Sequence, residues 1–155
     1  MVGIEASKLL TQETVDRLLK INKKCVEPEI KLPPQGKESS YDVVSEDGRE
    51  QFLLDVNRVG VIKLSRCTMQ ERYAVSEQLI RLDLDESKPH RNPDGIVICG
   101  AHIHIYKAGY NDAWAYLLAE LPEFKFSDTQ DITQTFIEFC SFCNIDIPDV
   151  IQGTF

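Results

Sequence analysis

Apolar and polar residues alternate through the middle of the chain with a period of two. In Phe52-Leu53-Leu54-Asp55-Val56-Asn57-Arg58, the residues Phe52, Leu54 and Val56 form one set, and Asp55 and Asn57 fall in the other. The run from Gln78 to Asp85 separates Ile80, Leu82 and Leu84 from Leu79, Arg81, Asp83 and Asp85. His102-Ile103-His104-Ile105-Tyr106 alternates most cleanly, with Ile103 and Ile105 on one side. This is the period of half-buried strands. Val61 to Arg66 fits another strand, with Ile62 and Leu64 inward and Lys63 and Ser65 outward. Tyr41 to Ser45 is predicted as a short strand, and Asp47-Gly48 turns the chain into a strand from Glu50 to Asn57. Val59-Gly60 marks the next turn. Cys67 to Ser76 fits either the preceding strand's continuation or an irregular crossing, and Trp114 to Leu118 fits a last strand.

Helical spacing is confined to the two ends. Thr11 is the expected N-cap of a helix reaching about Lys24, with Val15, Leu18, Leu19 and Asn22 on one side and lysines in the last turn. Ser127 with Gln130 reads as a capping box for a helix from Asp128 to Cys143. The predicted fold is therefore α+β: an antiparallel β-meander of about five to six strands between an N-terminal and a C-terminal amphipathic helix. One domain is expected over residues 1–155, with a helical segment at 1–27, a proline-rich linker at 28–40, the sheet at 41–118 and the helix at 127–144.

Charge narrows the function classes. A net charge of −8 and a pI near 4.9 argue against a broad grip on a nucleic-acid backbone, which needs a basic surface. Arg58, Lys63, Arg66, Arg72, Arg81, Arg91 and Lys107 nonetheless cluster mid-chain and allow a small positive cleft. An acidic body also suits a basic protein partner. Neither a leader with a basic start and a long apolar stretch nor a membrane-length apolar run is legible, so a cytoplasmic location is expected. Five irregularly spaced cysteines do not form a secreted disulfide framework. Cys140 and Cys143 share a helical apolar stripe with Ile132, Phe136 and Phe139, which reads as core.

The candidate chemistry lies between Gln78 and Trp114, where all three histidines occur. On a strand, His102, His104 and Tyr106 share a face at successive spacings of roughly 7 Å. Pairing with 78–85 adds Arg81 and Asp83, so the outer sheet face is expected to carry Asp55, Asn57, Lys63, Arg81, Asp83, His102, His104 and Tyr106. A solvated sheet face is polar by default, and plain exposure fits the same pattern. As a site, the face suits acid–base chemistry without metal or other cofactor, because imidazole titrates near neutrality. His102 and His104 are then the base and acid candidates, with His90 competing for either role. Arg81 would hold phosphate, Asp83 would orient an imidazole, and Tyr106, Tyr110 and Arg91 would bind substrate. A metal set of His90, His102 and His104 with Asp83 or Asp112 is a third possibility.

The segments Leu54-Asp55-Val56-Asn57-Arg58, Arg81-Leu82-Asp83, Pro89-His90-Arg91-Asn92-Pro93-Asp94-Gly95, His102-Ile103-His104-Ile105-Tyr106 and Gly109-Tyr110-Asn111-Asp112-Ala113-Trp114-Ala115 resemble a family of short bacterial proteins of unassigned function. The resemblance implies a setting in bacterial genomes and mobile elements and brings no activity with it. Two functions are carried forward as expectations. One is a small histidine-dependent ribonuclease, the toxin of a toxin–antitoxin pair, with RNA as substrate and an antitoxin as partner. The other is a non-catalytic acidic inhibitor of a host defence nuclease or CRISPR effector.

Overall fold

A computed structural model describes residues 10–59, 67–85, 87–149 and 151–152. The predicted strand at 61–66, with Lys63, lies outside the described residues.

Helix α1 (Gln12–Lys20) starts at Thr11, whose hydroxyl accepts the Thr14 amide. It stops four residues earlier than expected because Lys23 belongs to strand β1 (Lys23–Cys25). The supposed linker contributes β2 (Ile30–Lys31) and opens β3 (Glu38–Ser45). Then follow β4 (Gln51–Asn57), β5 (Thr68–Tyr73) and β6 (Glu77–Asp83). A small hairpin, β7 (His90–Arg91) with β8 (Val97–Ile98), precedes β9 (His102–Ile105) and β10 (Ala115–Leu117). After a single 3-10 turn come α2 (Ile132–Phe142), β11 (Ile145–Asp146) and β12 (Ile151–Gln152).

The chain is α+β, and the main sheet holds eight strands in the order β10-β9-β6-β5-β4-β3-β1-β11. It is not a meander of five or six: the ends of the chain add β1 and β11, which pair in parallel, and β12 joins β2 the same way. These pieces are two or three residues long, too short to leave a periodic signal. The start of α2 also differs from expectation. Asp131 is its N-cap, accepting the Gln134 amide, while Ser127 bonds through its amide and hydroxyl to Glu138.

One sheet face packs on the helices. Val15 and Leu18 of α1 and Phe136, Phe139 and Cys140 of α2 join Leu54, Val56, Met69, Leu82 and Ile103 in the core. Cys143 is buried there too, and burial pushes both helix thiols well up. A fully buried ion pair crosses this layer: Lys23 Nζ lies 2.8 Å from Glu71 Oε2 and donates to Leu18 O at 2.8 Å. Among the described residues, no helix is long and apolar enough to cross a membrane.

Candidate functional site: a polar sheet face backed by histidines

The face turned from the core carries polar side chains in cross-strand rows. Strand register aligns Ser40, Asp55, Gln70, Arg81 and His104 in one row, and Glu38, Asn57, Thr68, Asp83 and His102 in the next. Directly opposed residues in an antiparallel pair share a face with closely spaced side chains, so each row is a continuous polar ladder. Over β3 to β6 the ladders line an open cavity of about 700 Å³. Asp55 is its hub. It accepts Arg72 Nε at 2.5 Å and Nη2 at 3.0 Å, Gln70 at 2.8 Å and the Ser40 hydroxyl at 2.6 Å. Those donors hold the Asp55 carboxyl below its ordinary range although burial opposes them. Such charge-assisted bonds fix side-chain geometry.

At the β9 end the ladders go underground. His102 and His104 are buried, at 2% and 3% exposure, and are not on a wet face as expected. The loop at 107–114 and a strap at 87–98 account for this. His104 Nδ1 bonds Asp112 O at 2.8 Å, and His90, on the strap, bonds Ala113 O through Nε2 at 2.8 Å. The His90 ring lies 4.7 Å from that of His104 and 5.8 Å from that of His102, with 5.0 Å between the latter two. Asn92 completes the attachment. Its amide nitrogen donates to Ala115 O at 2.9 Å and its oxygen accepts the Ala115 amide at 2.8 Å, imitating a neighbouring strand along β10.

These bonds define the imidazoles' chemistry. A carbonyl can only accept, so His104 carries its proton on Nδ1, and Nε2 is left to accept Arg81 Nη2 at 3.1 Å. Burial first, then the Arg81 charge, pushes His104 down to about 4, so it is neutral at pH 7. His102 likewise donates from Nδ1 to Gly100 O at 2.8 Å, and its Nε2 faces Asp83 Oδ2 at 3.7 Å. Arg81 also reaches Gln78 at 3.2 Å and Asp112 at 3.3 Å. Arg81 and Asp83 line the cavity, and no histidine does. Among the described residues, no three His, Cys, Asp or Glu side chains are arranged to hold a metal ion. The guanidinium on His104 Nε2 explains this for the histidines, since a cation occupies the place a metal would need.

The remaining expected site residues scatter. Tyr106 is buried within the core cluster, because β9 ends at Ile105 and the following residue turns inward; this corrects its expected place on the outer face. Arg91 is exposed and donates to Gly95 O within the strap. Tyr110 is exposed on the far loop beside Trp114, with the Lys107 ammonium over both rings. Ser40 and Gln70 are not among the expected site residues, and Arg72 is expected only as part of the mid-chain basic cluster. They sit on β3 and β5, and β5 falls in the stretch Cys67 to Ser76 whose pattern is ambiguous because the buried Glu71 breaks its apolar alternation.

Fold and face together describe an α+β protein with a preorganised polar sheet surface, in which buried histidines position charged neighbours. The chain belongs to a family of unknown function (DUF6978), whose model matches residues 10–145. No curated protein and no solved structure matches it.

Proposed function

We infer that the protein acts by binding, through the polar face over β3 to β6, and not by acid–base catalysis at its histidines. One observation carries this reading: the buried imidazoles direct their remaining nitrogens at Arg81 and Asp83, and those two side chains, not the histidines, meet the cavity. A general acid or base must come within hydrogen-bond reach of its substrate. His104 is engaged on both nitrogens. His102 and His104 are positioning residues here, like the outer partners that orient groups in other sites. The face mixes both signs of charge and, among the described residues, has no aromatic platform in its lining, which suits a polar protein surface better than stacked bases. The net charge of −8 points to a basic partner. An inhibitor of a nuclease or CRISPR effector is the form this binding takes.

A ribonuclease toxin is the second reading, favoured by the His102–Asp83 approach at 3.7 Å beside the Arg81 guanidinium.

The test is a footprint. The tagged chain is expressed in a bacterial host, a co-purifying protein is identified, and hydrogen exchange of the rebuilt complex is compared with the free chain. Protection concentrated on β3 to β6, with at least tenfold weaker binding by Arg81→Glu, is the expected result. Protection confined to other surfaces, or undiminished binding by Arg81→Glu, overturns the proposal.

A further inference from the structure

The strap at 87–98 touches the body through two devices of different chemistry. Asn92 clamps Ala115 by two amide hydrogen bonds, and these do not depend on pH. His90 donates one hydrogen bond to Ala113 O, stacks its ring on that of His102 and meets the His104 ring edge-on. The strap's outer side is exposed at Ile96 (61%) and Val97 (46%), and its own β7–β8 pairing is two residues long. A two-stranded ribbon of that size has little stability alone.

We propose that the three clustered histidines form a proton-operated latch: neutral imidazoles hold the strap over the β10 edge, and protonation of His90 beside an imidazolium at His102 releases it. The charges around the imidazole cluster decide the sense. From β6 come the cation Arg81 and the carboxylate Asp83, from β9 come His102 and His104, and from the 107–114 loop comes the carboxylate Asp112. Asp112 offsets Arg81, and Asp83 offsets one imidazolium at His102. A further proton on His90 then has no carboxylate in the cluster to offset it. The strap's own charged residues are Lys88, Arg91 and Asp94, and Asp94 is turned to the Ile96 amide. Arg91 is turned to Gly95 O, and Lys88 lines a separate small cavity with Asp85. A second imidazolium within 6 Å of the first repels it across a site with little water. His90 is the mobile member, since it is half-buried on the strap while the other two are locked in β9. Its departure strips the Ala113 carbonyl of a donor. Loss of Asn92 then uncovers the Ala115 amide and carbonyl, an unpaired strand edge of the kind that accepts another chain's strand. The latch operates whatever the β3 to β6 face binds.

The Ala115 amide reports directly, because its proton sits on Asn92 Oδ1. Hydrogen exchange of the whole chain without partner is followed from pH 7.5 to pH 5 and corrected for intrinsic rates. Ala115 is expected to lose at least tenfold in protection, with a midpoint in the range where imidazoles titrate, while amides of β4 and β5 stay protected. His90→Gln retains an N–H donor for Ala113 O without a titrating ring, and it should keep Ala115 protected at both pH values. Unchanged protection in the native chain, or equal loss in His90→Gln, overturns the latch. If His90→Gln is already open at pH 7.5, the native ring resonances decide. A His90 titration coincident with Ala115 exposure supports the latch, and a separate midpoint overturns it.

Discussion

His104 shows how one residue can be identified by pattern and misplaced by environment. The alternation from His102 to Tyr106 is enough to put both histidines on one face with Arg81 and Asp83, and the register then sets His104 opposite Arg81 and His102 opposite Asp83. Burial could not be foreseen, because it comes from a strap and a loop that return from elsewhere in the chain. The consequence is titratable. His104 drops from an ordinary 6.5 to about 4 when folded, so below pH 6.5 the unfolded chain takes up a proton that the folded chain refuses. Its stabilising contribution is complete above pH 6.5 and declines as pH falls toward 4, by about 2 kcal/mol at pH 5 and about 3 kcal/mol at pH 4. Urea denaturation at pH 7 and pH 5 should show this loss in the native chain and a smaller one in His104→Gln. Nitrogen-detected NMR should find His104 protonated on Nδ1 and not titrating above pH 5. An Nε2–H tautomer would contradict the bond to Arg81.

Among the elements, β5 and β1 were the least legible, and one ion pair explains both. Lys23 looks like the basic last turn of a helix and Glu71 looks like an exposed strand residue, yet the pair is fully buried and ties β1, β5 and the end of α1 together. Desolvation pushes Glu71 up to about 7 even against the Lys23 charge. Removing Lys23 leaves the Glu71 carboxyl buried without its partner and forces it to take up a proton, so Lys23→Met should cost about 3–5 kcal/mol in chemical denaturation. The double change Lys23→Met with Glu71→Leu should recover most of that loss, because an apolar pair fills the space without desolvation cost. Non-recovery would mean that the cost of Lys23→Met is a packing defect. The turn between β5 and β6 stores a different strain. Val75 has φ of +74°, a region that branched side chains avoid, and it is 64% exposed. Val75→Gly should therefore raise the thermal midpoint, by the equivalent of about 1 kcal/mol; a fall would show that the valine makes contacts that outweigh its backbone strain.

For the whole molecule, alternation was enough to reach α+β with one helix near each end, and the parallel joins β1–β11 and β2–β12 that bring the ends together were out of reach. Those joins are set by tertiary packing, which leaves no local period. The outer face was legible as polar but not as a self-bonded network around Asp55, since hydrogen-bond partners on different strands depend on register. An acidic molecule with its histidines turned inward should bind RNA weakly and leave it whole. The decisive measurement is incubation of the purified chain with single-stranded RNA of mixed sequence from pH 5 to pH 8, with the products resolved by length. Binding through Arg81 and Asp83 without catalysis predicts intact RNA throughout. Fragments made by the native chain and absent with Asp83→Asn would contradict it and make the histidine cluster an active site.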